Sequence, residues 1–568
     1  MKNTFSKIMF LTLCSVIALT LITSTAQAAA TIIINNVDDP GKGLNDPTKV
    51  KPIGKNSGKT LGEQRLNVFQ KAADIWGSTL NSNVTIVVQA TFQDRGFTPC
   101  TANSAVLGAA GTIQIFANTP GVLWPSTWYH SALANKLAGA DQQPGPLDPG
   151  FLQPPFADDI IAFFNPNLGA ANCLAGSSWY YGIDNQAPSG TIDFLNVVSH
   201  EIGHGLGFAT FVDKGSGTTE SGLPDVYTAY THDDTNGKQW NQMTDAERLA
   251  SATNTGNLVW NGPTVVGAAP GILDPLQQLK ITAPSSLSGT VIDFGTASFG
   301  PAPGPSNFSG DVVLTNDGIG VSSDGCEPFV NAADVAGKIA LIDRGTCTFV
   351  VKTKNAQNAG ATGVMIANNV AGAGAFGLGG TDSTIVIPAI GISLESGNLI
   401  KQNLPGLHVA ILEDPTRLAG GDEQGNIRLY APPVISGGSS VSHWDTVATP
   451  NLLMEPFINS DLKAATTLDL TPSQMTDIGW SGGLHCPVNS DNSATIKVGA
   501  CETGVTNDVG PFTLFPAGSD GRISAGCRAA DLVNSCNGVS SCLAKITSAM
   551  QVAGIITEAE KNAILACP

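Results

Sequence analysis

The sequence predicts an α+β protein in which a domain built around a histidine pair is split by an inserted α/β domain and followed by a small cysteine-rich module. Three observations carry this. An apolar stretch with helical spacing holds His200-Glu201-Ile202-Gly203-His204. From about Leu279 the texture changes to short strands with Gly, Pro and Ser, and one strand–helix–strand unit follows. Six of the eleven cysteines lie beyond residue 485.

A chain of 568 residues is too long for one core and should hold about three or four domains. Its 42% hydrophobic and 13% charged residues describe a globular protein, and 64 Gly with 34 Pro call for many turns and long loops. A net charge of −18 argues against nucleic acid or an anionic membrane as partner. Lys2 and Lys7, an apolar run from Ile8 to Ile22 and Ala26-Gln27-Ala28 read as an export signal over 1–28. The mature protein is expected to begin near Ala29, to be secreted to the periplasm or the medium, and to have no membrane span. Loss of Cys14 leaves ten cysteines, an even number that an oxidising compartment can pair. They group by position as Cys100 with Cys173, Cys326 with Cys347, and the six of the tail.

Taken in order, Thr31–Val37 reads as a strand, Leu61–Leu80 as a helix with Leu66, Phe69, Ala73, Trp76 and Leu80 on one stripe, and Val84–Phe92 as a second strand. Thr112–Ala117 and Asp159–Phe164 are further strand candidates. His130 reads as a packing residue beside aromatics, and Asp158 and Asp159 as a solvated loop end. Ile192, Phe194, Leu195, Val197 and Val198 give the motif helix its buried character, and Gly205 and Gly207 are expected to end it. Met243–Ala252 is a short helix capped by Thr244 or Asp245. Lys338–Ile342, Phe349–Ala359, Gly363–Ala367 and Thr384–Ile392 alternate strand, helix, strand, strand. Leu470–Trp480 is a helix with Thr471 as cap and Pro472 in its first turn. The tail from His485 has helical parts at Ala529–Val533 and Thr557–Leu565.

The motif carries chemistry because of its spacing. Four residues apart on a helix, His200 and His204 stand on one face one turn apart. Two neutral imidazoles can share one zinc ion, with Glu201 beside it to deprotonate a water. A hydrolytic zinc needs a third protein ligand and an open position. Six residues past His204 stands Thr210, whose hydroxyl is a poor zinc ligand. Glu220 lies in a Gly/Ser run that cannot form a stable helix. Asp213, Asp225, His232 and His443 are further candidates.

Two resemblances sharpen this. The patterns G-K-I-A-L-I-D-R-G-T-C-T-F (337–349) and K-T-K-N-A-Q-N-A-G-A-T-G-V (352–364) closely resemble the protease-associated (PA) domain, over roughly 279–415. The resemblance implies an inserted, non-catalytic module that contacts substrates or partners, with Cys326 and Cys347 paired. The zinc helix with Gly205-Leu206-Gly207-Phe208, then Ser442-His443-Trp444 and Leu453-Met454-Glu455-Pro456, resembles leishmanolysin-type metzincins. In that group an insertion displaces the third histidine downstream and a Met-turn follows it. The resemblance implies zinc held by His200, His204 and His443, Met454 as the floor beneath them, and Glu201 as general base of peptide hydrolysis. The expected architecture is therefore a signal (1–28), a metzincin-like zinc protease domain in two parts (29–278 and 416–484), the PA domain between them (279–415) and the cysteine-rich module (485–568). The expected activity is that of a secreted zinc metalloendopeptidase with protein or peptide substrates and one catalytic Zn2+. A calcium ion is carried as a further expectation with no residues assigned. By analogy, Asp159–Phe164 is the edge strand that aligns substrate. The competing reading is a binding or adhesion protein with a structural or vestigial zinc. Three convincing ligands rather than four favour catalysis.

Overall fold

The computed structural model describes residues 29–96 and 99–480, with separate stretches between 495 and 567. The expected export signal, and Cys486, Cys527, Cys536 and Cys542, lie outside the described residues.

The chain opens as β1 (Ile32–Asn36), α1 (Leu61–Thr79) and β2 (Ile86–Thr91), a right-sized crossover for two parallel strands. A capping box starts α1: Thr60 Oγ1 accepts from Glu63 N at 3.2 Å, and Glu63 Oε2 accepts from Thr60 N at 3.3 Å. Val68, Phe69, Ala72, Ala73 and Trp76 then form its buried stripe. β3 (Gly108–Thr112), α2 (Ser131–Ala138), β4 (Ile160–Phe164) and α3 (Phe194–Leu206) complete the first layer pair. The sheet order is β1-β2-β4-β3, with β3 alone antiparallel and at the edge.

This differs from the sequence expectation in three places. The segment 159–164 is an interior strand, paired to β2 and β3, so the edge strand on that side is Gly108–Thr112. The candidate strand Thr112–Ala117 is divided, because β3 ends at Thr112 and Ile115–Phe116 pairs with Tyr129–His130 instead. Asp158 and Asp159 are not solvated: both are buried. Amide donors replace water there, with Asn35 Nδ2 on Asp158 at 2.6 Å, and Val87 N and Asn135 Nδ2 on Asp159 at 2.9 and 2.8 Å.

After β5 (Leu258–Trp260) the chain enters the second lobe through β6 (Pro275–Ala283). β7 (Ser309–Leu314), β8 (Ile339–Asp343), α4 (Phe349–Asn358), β9 (Gly363–Ala367) and β10 (Ala389–Ile392) follow. β7 to β10 are parallel neighbours within an eight-stranded sheet. The expected strand from Thr384 is shortened to β10, since Pro388 has no N–H to give the ladder. Alternation along β8 serves two cores: Ile339 and Leu341 face one cluster, Ala340 and Ile342 the other.

The chain leaves by β11 (His408–Leu418), antiparallel to β6, with Leu279 opposite Ile411 and Pro275 opposite Leu418. The way in and the way out therefore lie side by side. β12 (Ile427–Arg428) returns to β5 in the first lobe. The last described helix of that lobe, α5, spans Thr471–Ile478. Thr471 is inside it and does not cap it. Leu470 stands at the cap without a side-chain bond, and Asp469 just ahead of it accepts from Thr471 N at 3.3 Å. Trp76, Phe208, Trp260, Trp444, Met454, Met475 and Trp480 belong to one apolar core, so residues from both sides of the insertion share it. Disulfides join Cys100 to Cys173, Cys326 to Cys347 and Cys501 to Cys567. Among the described residues no helix is long and apolar enough to cross a membrane.

Candidate metal centre

α3 is buried along its whole length. Asp193 caps it, its Oδ1 accepting from Leu195 N at 3.0 Å. Trp76 Nε1 donates to the Ser199 carbonyl at 3.0 Å and anchors the turn before His200. Two glycines let neighbours approach. A Cβ on Gly205 would stand 2.3 Å from Ile160 Cγ2, and one on Gly203 would stand 2.8 Å from Met454 Sδ. Gly205 thus lies within the helix as a packing residue rather than at its end. Gly207, at φ 134°, ends it.

His200, His204 and His443 are buried and converge. Their Nε2 atoms are 3.1 Å (His200–His204), 3.2 Å (His204–His443) and 3.3 Å (His200–His443) apart. Each Nδ1 has a backbone carbonyl: Leu453 O at 2.6 Å for His200, Phe208 O at 2.8 Å for His204, and Ser439 O at 2.8 Å for His443. A carbonyl can only accept, so each Nδ1 carries the proton and each Nε2 is left with a bare lone pair. Burial pushes His200 down to about 4, and it holds His204 and His443 well below the usual imidazole range, each further lowered by its histidine neighbours. Three neutral imidazoles therefore aim lone pairs at one point, which is repulsive unless a cation sits there. Nitrogens about 2.05 Å from one tetrahedral zinc lie about 3.3 Å apart, so the donor set fits that ion.

Glu201 is buried beside the cluster, where desolvation pushes its carboxyl up to about 8 against the Ala110 N–H that favours its charge. Ala110 belongs to β3, so the edge strand and Glu201 adjoin. Met454 is fully buried under Gly203. It sits in a tight turn closed by Glu455 N to Leu452 O at 3.1 Å. The turn also supplies the Leu453 carbonyl that orients His200, and Asp469 holds Leu453 N at 2.5 Å.

The other candidate ligands lie elsewhere. Thr210 donates to Asp225 at 2.7 Å, and Asp225 also accepts from Phe211 N and Thr228 N. Glu220 and Asp213 are exposed on the following loop, and His232 lies in a strand facing Asp234. His130 is buried against Phe211, with ring centroids 4.5 Å apart. Sequence reasoning missed the three orienting carbonyls, Asp469 and Ala110. Backbone groups carry no side-chain signal, and Asp469 sits in a stretch without a motif.

Residues 308–400 match the PA domain family, and the inserted lobe is a PA domain. A probable leucine aminopeptidase 2 of Aspergillus fumigatus is 42% identical over 84 residues, 14% of this chain and 17% of that protein. The minor extracellular protease Vpr of Bacillus subtilis is 28% identical over 217 residues, 34% of this chain and 25% of that protein. The aminopeptidase YwaD of Bacillus subtilis is 31% identical over 159 residues, 25% of this chain and 33% of that protein. Among solved structures, BSAP, a zinc aminopeptidase from Bacillus subtilis, shares 28% identity over 26% of this chain and 35% of its own, with a TM-score of 0.18. The chain thus spans a third or less of the length of these curated relatives.

Proposed function

We propose that this protein is a secreted zinc-dependent peptidase, of the metzincin arrangement with a leishmanolysin-like displaced ligand, that cuts within peptide chains. The observation that supports it best is the convergence of three proton-free Nε2 atoms at 3.1–3.3 Å with Glu201 buried beside them. His200, His204 and His443 are the zinc ligands in this reading, Glu201 is the general base, and Met454 is the floor.

A zinc ion held there would supply a Lewis acid that polarises the scissile carbonyl and acidifies a water. Glu201 takes a proton from the attacking water and returns it to the leaving amine as the C–N bond breaks. The Leu453, Phe208 and Ser439 carbonyls fix the tautomer of the ligands and raise their basicity. β3 has one side unpaired in its sheet and its residues are half-buried, which suits an extended substrate added as a further strand. Three protein ligands leave one position for chemistry, where a structural zinc has four. The disulfides suit an oxidising compartment, in keeping with export.

The relatives named as aminopeptidases favour a second reading, cleavage from a free amino end. Wild type is to be assayed with casein, with a peptide bearing an acetylated N-terminus and with the same peptide unblocked, beside zinc content. Cleavage of casein and the blocked peptide supports the endopeptidase. Cleavage of the free-ended peptide alone supports the second reading. A Glu201→Ala protein with wild-type activity sinks both.

A further inference from the structure

Of the three carbonyls that orient the histidines, that of Leu453 sits on the turn Leu452–Glu455. Two bonds close this turn from within: Glu455 N to Leu452 O at 3.1 Å, and Leu452 N to Glu455 Oε1 at 2.8 Å. Its Met454 side is tied to the third-histidine segment, where Trp444 N donates to Met454 O at 2.9 Å. Its Leu453 side is tied from a later segment, because Leu453 N donates to Asp469 Oδ2 at 2.5 Å. Leu453 and Asp469 also border one cavity of about 280 Å³, with Pro450, Asp461 and Leu462. On that side the carboxylate, rather than close packing, restrains the turn.

The backbone at Asp469 is turned to make this reach. Its φ is 47°, in the left-handed region that few residues other than Gly, Asn and Asp enter. Asp469 N donates to Thr467 Oγ1 at 3.1 Å, which helps to hold that conformation. Its second oxygen, Oδ1, accepts from Thr471 N at 3.3 Å and from Thr471 Oγ1 at 3.2 Å, at the start of α5. The two oxygens thus serve two segments, and the shorter bond goes to Leu453. Starting α5 alone asks for one acceptor on an extended backbone, so the left-handed residue and the second oxygen call for another use.

We propose that Asp469 is a positioning residue for the metal centre: by holding Leu453 N it fixes the carbonyl that aims His200 Nε2 at the point shared with His204 and His443. This rests on the zinc reading of that cluster. A carbonyl on a pinned turn holds His200 in one ring orientation and one tautomer, so the imidazole loses less freedom when it binds a metal. Asp469 acts through Leu453, and its effect therefore appears in zinc affinity before it appears in turnover.

Zinc affinity is to be measured by competition with a chelator for wild type, Asp469→Gly, Asp469→Ser and Asp469→Asn, beside the visible spectrum of each protein loaded with cobalt. Gly suits the left-handed backbone and removes both oxygens. Ser keeps one oxygen for Thr471 but is a bond too short to reach Leu453 as well. Asn tolerates the backbone and keeps an oxygen at full reach. Asp469→Gly and Asp469→Ser should each weaken zinc by about 10-fold or more and alter the cobalt bands, and Asp469→Asn should restore most of the affinity. In a double-mutant cycle, Asp469→Gly should cost little further in a His200→Ala protein and its full factor in a His443→Ala protein. Wild-type zinc affinity and cobalt bands in Asp469→Gly and Asp469→Ser overturn the proposal, even where the melting temperature falls, because Asp469 then supports α5 only. An equal cost in the two histidine backgrounds overturns it as well. A wild type that binds no zinc rejects the zinc reading and this proposal with it. A wild type that binds zinc and cleaves no casein rejects the peptidase reading alone, and the zinc comparison still decides this one.

Discussion

Glu201 and His443 test the chemistry from two sides. Glu201→Ala should keep one zinc per chain and lose activity by at least about 10²-fold, since only the proton path is removed. His443→Ala should lower both zinc content and activity, and metal analysis beside a casein assay reads the two together. A pH effect belongs to Glu455, which burial, then the charges of Asp461, Asp469 and Asp445, push up to about 8 against the Leu452 N–H. Its folded value lies above the unfolded one near 4.3, so the folded state keeps a proton that the unfolded state gives up between about pH 4.5 and 8. Stability from this group is complete below that window and is lost as pH rises through it. Glu455→Gln does not titrate. Its melting temperature relative to wild type, measured in chelator, should therefore climb by a few degrees from pH 5 to pH 8. At this scale the sequence was informative wherever a side chain forms the cluster. Helical spacing pointed to His200, Glu201 and His204 and the flanking pattern to His443, and the three histidines do converge with Glu201 buried beside them. The Leu453, Phe208 and Ser439 carbonyls left no trace, because any residue offers one.

The elements follow from local rules more closely at their starts than at their ends. Thr60 and Glu63 announce α1, and Thr244 with Glu247 does the same for the helix Asp245–Ser251. The edge of the sheet was not legible. Gly108–Thr112 is a run of small residues with no strand-like alternation, while Ile160–Phe164 looks like a strand and is placed centrally because of that apolar content. Close helix packing also depends on what is absent. Gly205→Ala must displace Ile160, whose three nearest carbons lie 2.3–3.0 Å from the added Cβ. It should cost about 1–3 kcal/mol in chemical denaturation, with part recovered in Gly205→Ala combined with Ile160→Val.

For the whole molecule, the insertion is tolerated because it returns to where it began. Asp274 N donates to Thr449 O at 2.7 Å and Ala419 N to Asp274 O at 2.9 Å, so the two ends of the PA lobe are fastened to the first lobe and to each other. A long excursion between such ends adds little loop entropy. Replacing 276–417 by a short Gly/Ser linker should preserve one zinc per chain, read by metal analysis and circular dichroism. The sequence showed that the lobe exists, since strands and helix alternate cleanly there. It did not show that β6 and β11 pair along their length, because pairing partners 125 to 143 residues apart leave no local mark.

The cover over α3 has a further consequence for how the protein comes into being. Leu452, Met454, Met475, Ile478 and Trp480 share the core with that helix, and they come 246 to 274 residues after its last residue, Leu206. A chain synthesised from its N-terminus carries the His200–His204 helix for nearly half its length before all of those residues exist. Until then the helix is an apolar segment without its cover, holding two of the three clustered histidines. A protein ending at residue 440 lacks His443 and that cover, and should bind zinc weakly and cleave no casein.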